Sequence, residues 1–248
     1  MSQSDPHTPN VARMYDYLLG GKDNYAVDRE AIDRLTDLIP EALPLARASR
    51  GFLQRAVRYV AQEGVEQFLD LGSGLPTQGN VHEVAPHAVV VYVDQDPIVA
   101  AHARALLRGE DRAVFVEADL LDLDRILAGA SGLLDLNEPV AVLMVSMLHS
   151  FPAGRDPDGL VARLREAVAP GSYLALTHAT SSSRQEGEAS TDRSPEEIRA
   201  FFGDFELVPP GLVQAADWRP DRPRLVGGPL LPSYVLAGLA RKPQDPDV

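Results

Sequence analysis

The stretch QFLDLGSGLPTQGN, residues 67–80, decides the fold prediction because an apolar run passes directly into a glycine-rich turn. Apolar residues surround Asp70, and Gly72, Ser73 and Gly74 follow at once. Glycines let the backbone turn sharply and approach a ligand closely. This segment therefore predicts a buried strand that ends in a candidate ligand-binding turn.

Strands and helices alternate from residue 65 onward. Five short apolar runs are rich in β-branched or aromatic residues: VEQFLDLG, HAVVVYVD, AVFVEAD, EPVAVLMVS and GSYLALTHA. Helical patterns separate them, at Gly79–Ala85, Pro97–Arg108, Asp124–Ala130 and Asp158–Val168. This alternation predicts an α/β fold with a doubly wound, mostly parallel sheet. A helix capped by Ser194 and two further strands, FELVP and SYVLAGLAR, complete the predicted sheet.

The chain before residue 64 has a different pattern. Apolar residues at three- and four-residue spacing predict three helices within residues 10–63, with breaks at Gly20–Gly21 and between Pro40 and Pro44. We therefore predict a disordered lead-in at 1–9, an N-terminal helical cap at 10–63, a Rossmann-like domain at 64–242 and a disordered tail at 243–248.

Composition narrows the class of protein. The chain has 248 residues, a formal charge of −13 and no cysteine. The negative charge disfavours nucleic-acid binding, and the lack of cysteine removes disulfides and thiolate chemistry. No apolar run reaches the roughly 18 residues that a membrane span needs. These features predict a cytoplasmic protein with no membrane or nucleic-acid partner.

The acid before the glycine turn discriminates among ligands. A dinucleotide site has the spacing G-x-G-x-x-G/A, but Thr77 stands at the third glycine position and Pro76 precedes it. A carboxylate at Asp70 would also repel a pyrophosphate. The sulfonium and ammonium of S-adenosylmethionine are instead compatible with that carboxylate, so the turn favours this ligand.

Polar residues end the next three predicted strands. Asp94, followed by Gln95, is placed to accept ribose hydroxyls, because Asp96 and Pro97 already have the pattern of a helix N-cap. Further candidates follow the third and fourth strands: Asp119, Leu120 and Ser146.

Asp119 is placed to accept the adenine amino group, with Asp122 and Glu117 as alternatives. Ser146 falls at the carboxyl edge of the sheet, where open α/β sheets bind ligands. Four strand ends in chain order predict a binding site more specifically than any one of them.

The chain resembles the class I S-adenosylmethionine-dependent methyltransferases. More narrowly, it is similar to an actinomycete family of S-adenosyl methyltransferases that was first catalogued as a domain of unknown function. The resemblance rests on ARMYDYLLGGKDNYAVDREA, QFLDLGSGLPTQGNVHEVA, VVYVDQDPIV and WRPD. It implies a seven-stranded sheet with an antiparallel last strand, and a helical cap. Ser49 departs from the family pattern, which has asparagine there.

The cap contains a second cluster of polar residues. The segment GGKDNYA, residues 20–26, follows a helix that carries Tyr15. Paired glycines suggest a hinge, and Asn24 and Tyr25 offer a hydrogen-bond donor and a ring. We predict a lid over the methionine end of the cofactor, with Tyr15, Asn24 and Tyr25 as cofactor-binding residues; docking onto the sheet is the alternative.

Methyl transfer mainly needs orientation of the acceptor and exclusion of water, with a base only when the acceptor loses a proton. His149, just past the fourth strand, is the candidate base, and His178 and His82 are weaker alternatives. The spacing of the histidines does not suggest a metal site. Trp218 and Arg219 are expected either to wall the acceptor pocket or to anchor a loop.

The sequence thus predicts an S-adenosylmethionine-dependent methyltransferase that acts on an oxygen or nitrogen of a small molecule. The alternative is a regulatory or sensor protein that binds the cofactor without transferring its methyl group. A nicotinamide-dependent oxidoreductase is disfavoured by Asp70, Pro76 and Thr77. The acceptor and the oligomeric state stay open.

Overall fold

A central sheet organises the protein. The computed structural model describes residues 6–76, 79–151, 155–180, 193–222 and 235–244. Its strands are β1 Gln67–Leu71, β2 Val89–Asp94, β3 Ala113–Glu117, β4 Ala141–Met144, β5 Tyr173–Ala179, β6 Glu206–Leu207, β7 Val213–Gln214 and β8 Val235–Arg241. The order is β3-β2-β1-β4-β5-β8-β6, and β7 also pairs with β8. The doubly wound, mostly parallel sheet predicted from the sequence is confirmed.

The antiparallel part of the sheet lies beyond β5. Strand β8 pairs with β5 from Val235 to Arg241, and β6 and β7 pair with successive parts of β8, also antiparallel. A turn containing Pro209–Pro210 separates β6 from β7. The two short strands thus occupy the place of one predicted strand. β7 was missed because two residues are too few to show alternation.

The helices are α1 Val11–Leu18, α2 Ala26–Leu38, α3 Ala42–Gln62, α4 Val81–Val84, α5 Pro97–Leu106, α6 Leu123–Ala130, α7 Pro157–Ala167 and α8 Pro195–Ala200. Short 3-10 helices occupy Leu148–Ser150 and Ala215–Asp217. Pro44 does not separate α2 from α3 as predicted; it lies in the first turn of α3, where the missing N–H has no helical partner anyway. In the described ranges, no helix has the length and hydropathy needed to cross a membrane.

Some predicted segments lie outside the residues that the structure describes. They are part of the lead-in (1–5), the turn residues 77–78, the polar stretch SSSRQEGEAST (181–191), the first two residues of the last predicted strand (233–234) and part of the tail (245–248). Residues 6–9, predicted as lead-in, form a turn that enters α1. The carbonyl of Thr8 accepts a 2.7 Å hydrogen bond from Arg13, which fixes this turn.

The core forms two layers, one on each side of the sheet, because successive side chains of a strand point to opposite faces. Leu69 and Leu71 belong to one layer with α6 and α7, and Phe68 belongs to the other with α3. The buried face of α3 therefore packs directly on the sheet, and the predicted boundary at residue 63 stays a prediction.

Trp218 lies in the core. Its side chain is fully buried in the α3 layer, where its ring meets Phe52 edge-on at 5.3 Å between centroids. Arg55 donates hydrogen bonds of 2.7 Å to the carbonyls of Trp218 and Ala215. Trp218 thus fixes its own segment, residues 215–218, to the core.

A buried ion pair holds α1 against α2. The Nε of Arg13 lies 2.7 Å from Asp28, and both side chains are almost completely buried. Asp28 also accepts hydrogen bonds from the backbone N–H groups of Asn10 and Tyr25, at 2.9 Å and 2.8 Å. Burial acts to raise the pKa of Asp28, but these hydrogen bonds hold that pKa below its ordinary value. The Asp28 carboxylate therefore organises the cap hairpin.

Replacing Asp28 with alanine should lower the free energy of unfolding by about 3–5 kcal/mol, because it leaves the Arg13 charge buried without its partner. Urea unfolding at neutral pH measures this change. Asp33→Ala, at an exposed position of the same helix, is the control and should change stability by less than about 0.5 kcal/mol. Equal effects of the two substitutions would contradict the assigned role of Asp28.

Candidate active site

A cleft of about 490 Å³ opens at the carboxyl ends of the parallel strands, beneath the start of α1. Ligands of open α/β sheets bind at this edge, and the volume is typical of a small-molecule site. Its walls are formed by Pro9, Asn10, Val11, Ala12, Tyr15, Arg50, Leu53, Asp70, Gly72, Ser73, Gly74, Asp94, Gln95, Asp96, Asp119, Leu120, Val145, Ser146, Met147, Phe151 and Arg155.

The glycine turn forms one wall of this cleft. The N–H groups of Gly72 and Ser73 donate to the carbonyl of Val93 at 2.8 Å and 3.1 Å, which ties the turn to the end of β2. Gly72 has a φ of 70°, and a Cβ there would lie 2.9 Å from the Cβ of Met147. Only glycine satisfies both the conformation and the close approach. Gly74, with a φ of 64°, faces open space.

Asp94 links the end of β2 to the turn. One carboxylate oxygen accepts from the Gly74 N–H at 3.0 Å, and the other accepts from the Asp96 N–H at 3.0 Å. Burial raises the pKa of Asp94 despite these bonds. A carboxylate can accept about four hydrogen bonds, so Asp94 retains capacity for a ligand. Asp96 caps α5 by accepting from the Ile98 N–H at 2.8 Å, as predicted.

Asp70 is a buried carboxyl group with a strongly raised pKa. Its side chain is 6% exposed, and no described residue donates a hydrogen bond to it. Burial raises the pKa of Asp70 to about 7; the positive charge of Arg50 acts against this rise, and the negative charge of Asp94 adds to it. A buried carboxylate without a donor is costly. The cleft therefore holds an acceptor suited to a cationic ligand.

At the end of β3, one of the three acidic candidates lines the cleft. Asp119 and Leu120 line the cleft. Glu117 pairs with Arg104 at 2.7 Å, and Asp122 caps α6. The Nη2 of Arg155 lies 2.7 Å from both carboxylate oxygens of Asp119.

The roof of the cleft is formed by Pro9, Asn10, Val11, Ala12 and Tyr15. The side-chain amide of Asn10 donates to Asp96, and its backbone N–H donates to Asp28. The hydroxyl of Tyr15 donates to the carbonyl of Ala46 at 3.3 Å and lies 3.5 Å from the Ser146 hydroxyl. The roof is thus hydrogen-bonded to the cap and to the sheet.

The predicted lid segment lies elsewhere. Asn24 donates to Asp16 at 2.9 Å, and the ring of Tyr25 covers the Arg13 guanidinium at 4.6 Å. Neither residue is among those that line the cleft. Their cofactor contact stays a prediction that this arrangement does not support, because their polar groups hold the turn between α1 and α2.

Ser146 has a φ of 59°, a left-handed conformation that is uncommon for a residue with a side chain. Its N–H donates to the Thr177 hydroxyl at 2.8 Å, which holds this backbone in place. Strained residues of this kind concentrate at functional sites. The conformation supports a binding role for Ser146.

None of the candidate histidines is among the residues that line the cleft. The ring of His149 meets the buried ring of His178 edge-on, with centroids 6.1 Å apart. The Nδ1 of His82 lies 2.7 Å from the Tyr92 hydroxyl. His149 as a base stays a prediction, and this conformation does not bring it to the cleft.

Sequence reasoning missed several lining residues, above all Asn10, Arg50 and Arg155. A signal for Arg50 is present in the sequence. It shares a helical row with Ala46, Leu53 and Val57, all of which are buried. A charged residue in an apolar row of a helix marks a site where that charge faces something other than solvent.

The sheet order, the glycine turn and the acids at successive strand ends define a class I S-adenosylmethionine-dependent methyltransferase. The chain belongs to the S-adenosyl methyltransferase family, whose sequence profile matches residues 1–243. Its cofactor is therefore S-adenosylmethionine and its reaction is methyl transfer. None of the curated proteins matches the sequence.

Solved structures agree with this family membership. A candidate methyltransferase from Thermobifida fusca is 41% identical, with a TM-score of 0.89 over 97% of each chain. A DUF574 family protein from Streptomyces avermitilis is 38% identical, with a TM-score of 0.89 over 96% of this chain and 99% of its own. The Bradyrhizobium japonicum N-methyltransferase NodS, solved with S-adenosylhomocysteine, shares the fold at 14% identity and a TM-score of 0.54, over 94% of this chain and all of its own.

The residues present fit the cofactor. Asp70 is a buried carboxylate without a donor, as an ammonium requires, and Asp94 retains lone pairs for hydroxyls. Gly74 leaves open space beside the turn, which a Cβ would partly fill.

Affinity for S-adenosylhomocysteine should rise about fivefold to tenfold between pH 6 and pH 7.5, because Asp70 ionises over this range and then attracts the ligand ammonium. Calorimetric titration at several pH values measures the change. In Asp70→Asn the affinity should be lower and nearly independent of pH over the same range. A wild-type affinity that is constant from pH 6 to 7.5 would contradict the assignment.

The thermal stability of the ligand-free protein provides a second measurement of the ionisation of Asp70. Because the folded-state pKa of Asp70 is raised, ligand-free protein loses the associated stability as pH rises from about 4 to about 7. Asp70→Asn should therefore have a higher Tm than wild type at pH 8 and a smaller difference at pH 5. Asp111→Asn, in an exposed turn, is the control and should show neither effect.

Proposed function

We propose that the cleft binds S-adenosylmethionine with its parts in the order of the strand ends. Neighbouring strands run β3-β2-β1-β4 and lie about 4.8 Å apart. Asp119 at β3 then receives the adenine amino group, Asp94 at β2 the ribose hydroxyls, and Asp70 at β1 the methionine ammonium. The geometry of Asp94, partly buried and hydrogen-bonded to the turn, is the observation that carries this proposal.

Asp119 binds the adenine only if Arg155 rearranges or shares its carboxylate. Both side chains are about two-fifths exposed, so their ion pair is solvated and weak. A guanidinium released from Asp119 is free to stack on an adenine face. The existing pair therefore does not oppose the assignment.

The acceptor lies beyond β1, at the end of β4. Here the hydroxyls of Ser146 and Tyr15 meet, at the junction of the roof and the sheet. The roof leaves a cleft whose size is typical of small-molecule sites, and the charge of −13 opposes approach of a nucleic acid. We therefore propose a small-molecule acceptor, methylated on oxygen or nitrogen, and a cytoplasmic location consistent with the acidic, cysteine-free composition.

When bound, S-adenosylmethionine supplies an electrophilic methyl group on its sulfonium. The chain contributes orientation and exclusion of water. Burial raises the pKa of the Tyr15 phenol, although Ser146 and Arg50 act in the opposite direction. Tyr15 therefore stays protonated at neutral pH and positions the acceptor through hydrogen bonds instead of acting as a phenolate base.

Asp94→Ala should weaken S-adenosylhomocysteine binding by at least about tenfold, since each charge-assisted hydrogen bond contributes about 1.5–3 kcal/mol. Calorimetry measures the affinity, and circular dichroism checks the fold. Glu117→Ala is the control. Glu117 lies opposite Asp94 in the neighbouring strand but does not line the cleft, so this variant should bind S-adenosylhomocysteine as wild type does. Normal binding by folded Asp94→Ala would overturn the ribose assignment.

Tyr15→Phe keeps the ring and removes the hydroxyl. We expect S-adenosylhomocysteine affinity to change by less than about threefold while methyl transfer falls by about tenfold or more, the loss expected for a positioning hydrogen bond. Tyr17→Phe, on the same helix but not lining the cleft, is the matched control. An equal fall in affinity and turnover would place Tyr15 at the cofactor.

The acceptor class is tested with labelled S-adenosylmethionine. Oxygen and nitrogen acceptors of low molecular mass are offered as separate pools, beside RNA and total protein, and S-adenosylhomocysteine formation is followed. Label transfer confined to a small-molecule pool supports the proposal. Transfer to RNA or protein overturns the acceptor class, and cofactor binding without turnover in any pool would indicate a sensor.

A further inference from the structure

One face of α1, which we call the roof face, is formed by Val11, Ala12 and Tyr15. These residues are neighbours because positions three and four apart lie on the same side of a helix, and all three line the cleft. Val11 is apolar and yet 73% exposed. Pro9, which also lines the cleft, is exposed as well. An apolar ligand beneath the roof face would therefore remove exposed apolar surface from water, which is favourable.

The roof face is held over the cleft by contacts at both of its ends. Asn10, the N-cap of α1, donates its side-chain amide to Asp96, and its side-chain oxygen accepts from the Arg13 N–H at 3.0 Å. At the other end, the Tyr15 hydroxyl donates to the Ala46 carbonyl at 3.3 Å. The protein itself thus fixes where the apolar side chains of the roof face lie.

Two hydroxyl groups meet at the inner end of the roof face. The Tyr15 hydroxyl lies 3.3 Å from the Ala46 carbonyl and 3.5 Å from the Ser146 hydroxyl. Hydrogen bonds of hydroxyl groups are usually about 2.7–2.8 Å long, so both contacts are weak and a ligand hydroxyl can compete for them. The Ser146 N–H donates to Thr177 at 2.8 Å, which holds the backbone that carries one of these hydroxyls.

The spacing along α1 gives the size of a ligand that uses both parts. Val11 and Tyr15 are four residues apart, and one helical turn advances about 5.4 Å. A single ring with a hydroxyl at one edge spans this distance. Met147 and Phe151 line the same cleft from the end of β4, and thioether and aromatic side chains both pack well against a ring.

The charges of the cleft oppose an ionised acceptor. The described lining contains more acids than arginines, namely Asp70, Asp94, Asp96 and Asp119 against Arg50 and Arg155. This excess of negative charge repels an anionic acceptor, and the sulfonium of the bound cofactor repels a cationic one. Arg155 already pairs with Asp119 at 2.7 Å, and Arg50 donates to Asn80 at 3.2 Å. A neutral acceptor avoids both repulsions.

We propose that the methyl acceptor is a neutral, apolar molecule of about one ring that carries a hydroxyl group. Its hydroxyl binds at Tyr15 and Ser146, and its ring lies beneath Val11. This inference rests on the function proposed above, because the cofactor must occupy the ends of β1, β2 and β3 and leave the end of β4 for the acceptor. A charged ring in the same place would bury its charge without a counterpart, which is costly.

Four ring probes of similar size test this class in wild-type protein saturated with S-adenosylhomocysteine: 4-methylphenol, toluene, 4-methylbenzoate and 4-methylbenzylamine. Ligand-detected NMR titration measures their affinities. We expect 4-methylphenol to bind at least about fivefold more tightly than either charged probe, because an unpaired charge is costly to bury. It should bind about threefold more tightly than toluene, because only the phenol engages the two hydroxyls.

Three variants locate the probe. Val11→Asp puts a charge on the roof face and should weaken 4-methylphenol binding by at least about fivefold, a larger change than in S-adenosylhomocysteine affinity. Leu38→Asp is the control, because Leu38 is an apolar residue of α2 that is 82% exposed and does not line the cleft; it should leave both affinities unchanged. Ser146→Ala should remove the preference for 4-methylphenol over toluene.

Each contrary result has its own meaning. A charged probe that binds as tightly as 4-methylphenol overturns the neutral acceptor, and full 4-methylphenol affinity in Val11→Asp overturns its position beneath the roof face. Failure of every probe to bind overturns both parts. Calorimetry without probes tests the cofactor site separately: wild-type protein that does not bind S-adenosylhomocysteine would overturn the proposed function, and the acceptor inference with it.

Discussion

The carboxylate of Asp94 is the constraint on which the site depends. It closes the glycine turn through Gly74 and sets the start of α5 through the Asp96 N–H. Asp96 in turn accepts from Asn10, whose backbone is held by Asp28. A continuous set of hydrogen bonds therefore runs from the end of β2 to the buried ion pair of the cap. The glycine turn, α5 and the roof are all positioned relative to the Asp94 carboxylate. Because Asp94 ends β2, the sheet determines the shape of the cleft.

The sheet was predictable because its signals are local. Apolar runs, glycine turns and N-caps occupy contiguous residues, and the acids at strand ends follow from chain order once the strands are known. The resemblance to a known family added the antiparallel direction of the last strand and supported the role of the N-terminal helices as a cap. Pro44 was misplaced because a proline in the first turn of a helix has the same sequence signature as one between helices.

The roof was harder to predict. The lid was predicted at Gly20–Tyr25 from paired glycines and polar side chains, but the polar groups of that turn satisfy one another and Asp16. The lining comes instead from five of the preceding residues 9–15, among which the sequence pointed only to Tyr15. Long-range contacts such as Asn10 with Asp96 depend on how α1 docks, which no local pattern encodes.

The contacts of the cap differ in how far apart their residues lie along the chain. Arg13 and Asp28 are 15 residues apart, so the hairpin of α1 and α2 makes its own contacts locally, whereas Tyr15 meets Ser146 across 131 residues. Contacts between distant residues form late because loop closure must precede them. The cleft should accordingly be among the last parts to assemble, after the cap hairpin. Ligand binding during refolding would then report completion of the native topology, whereas secondary structure would report its beginning.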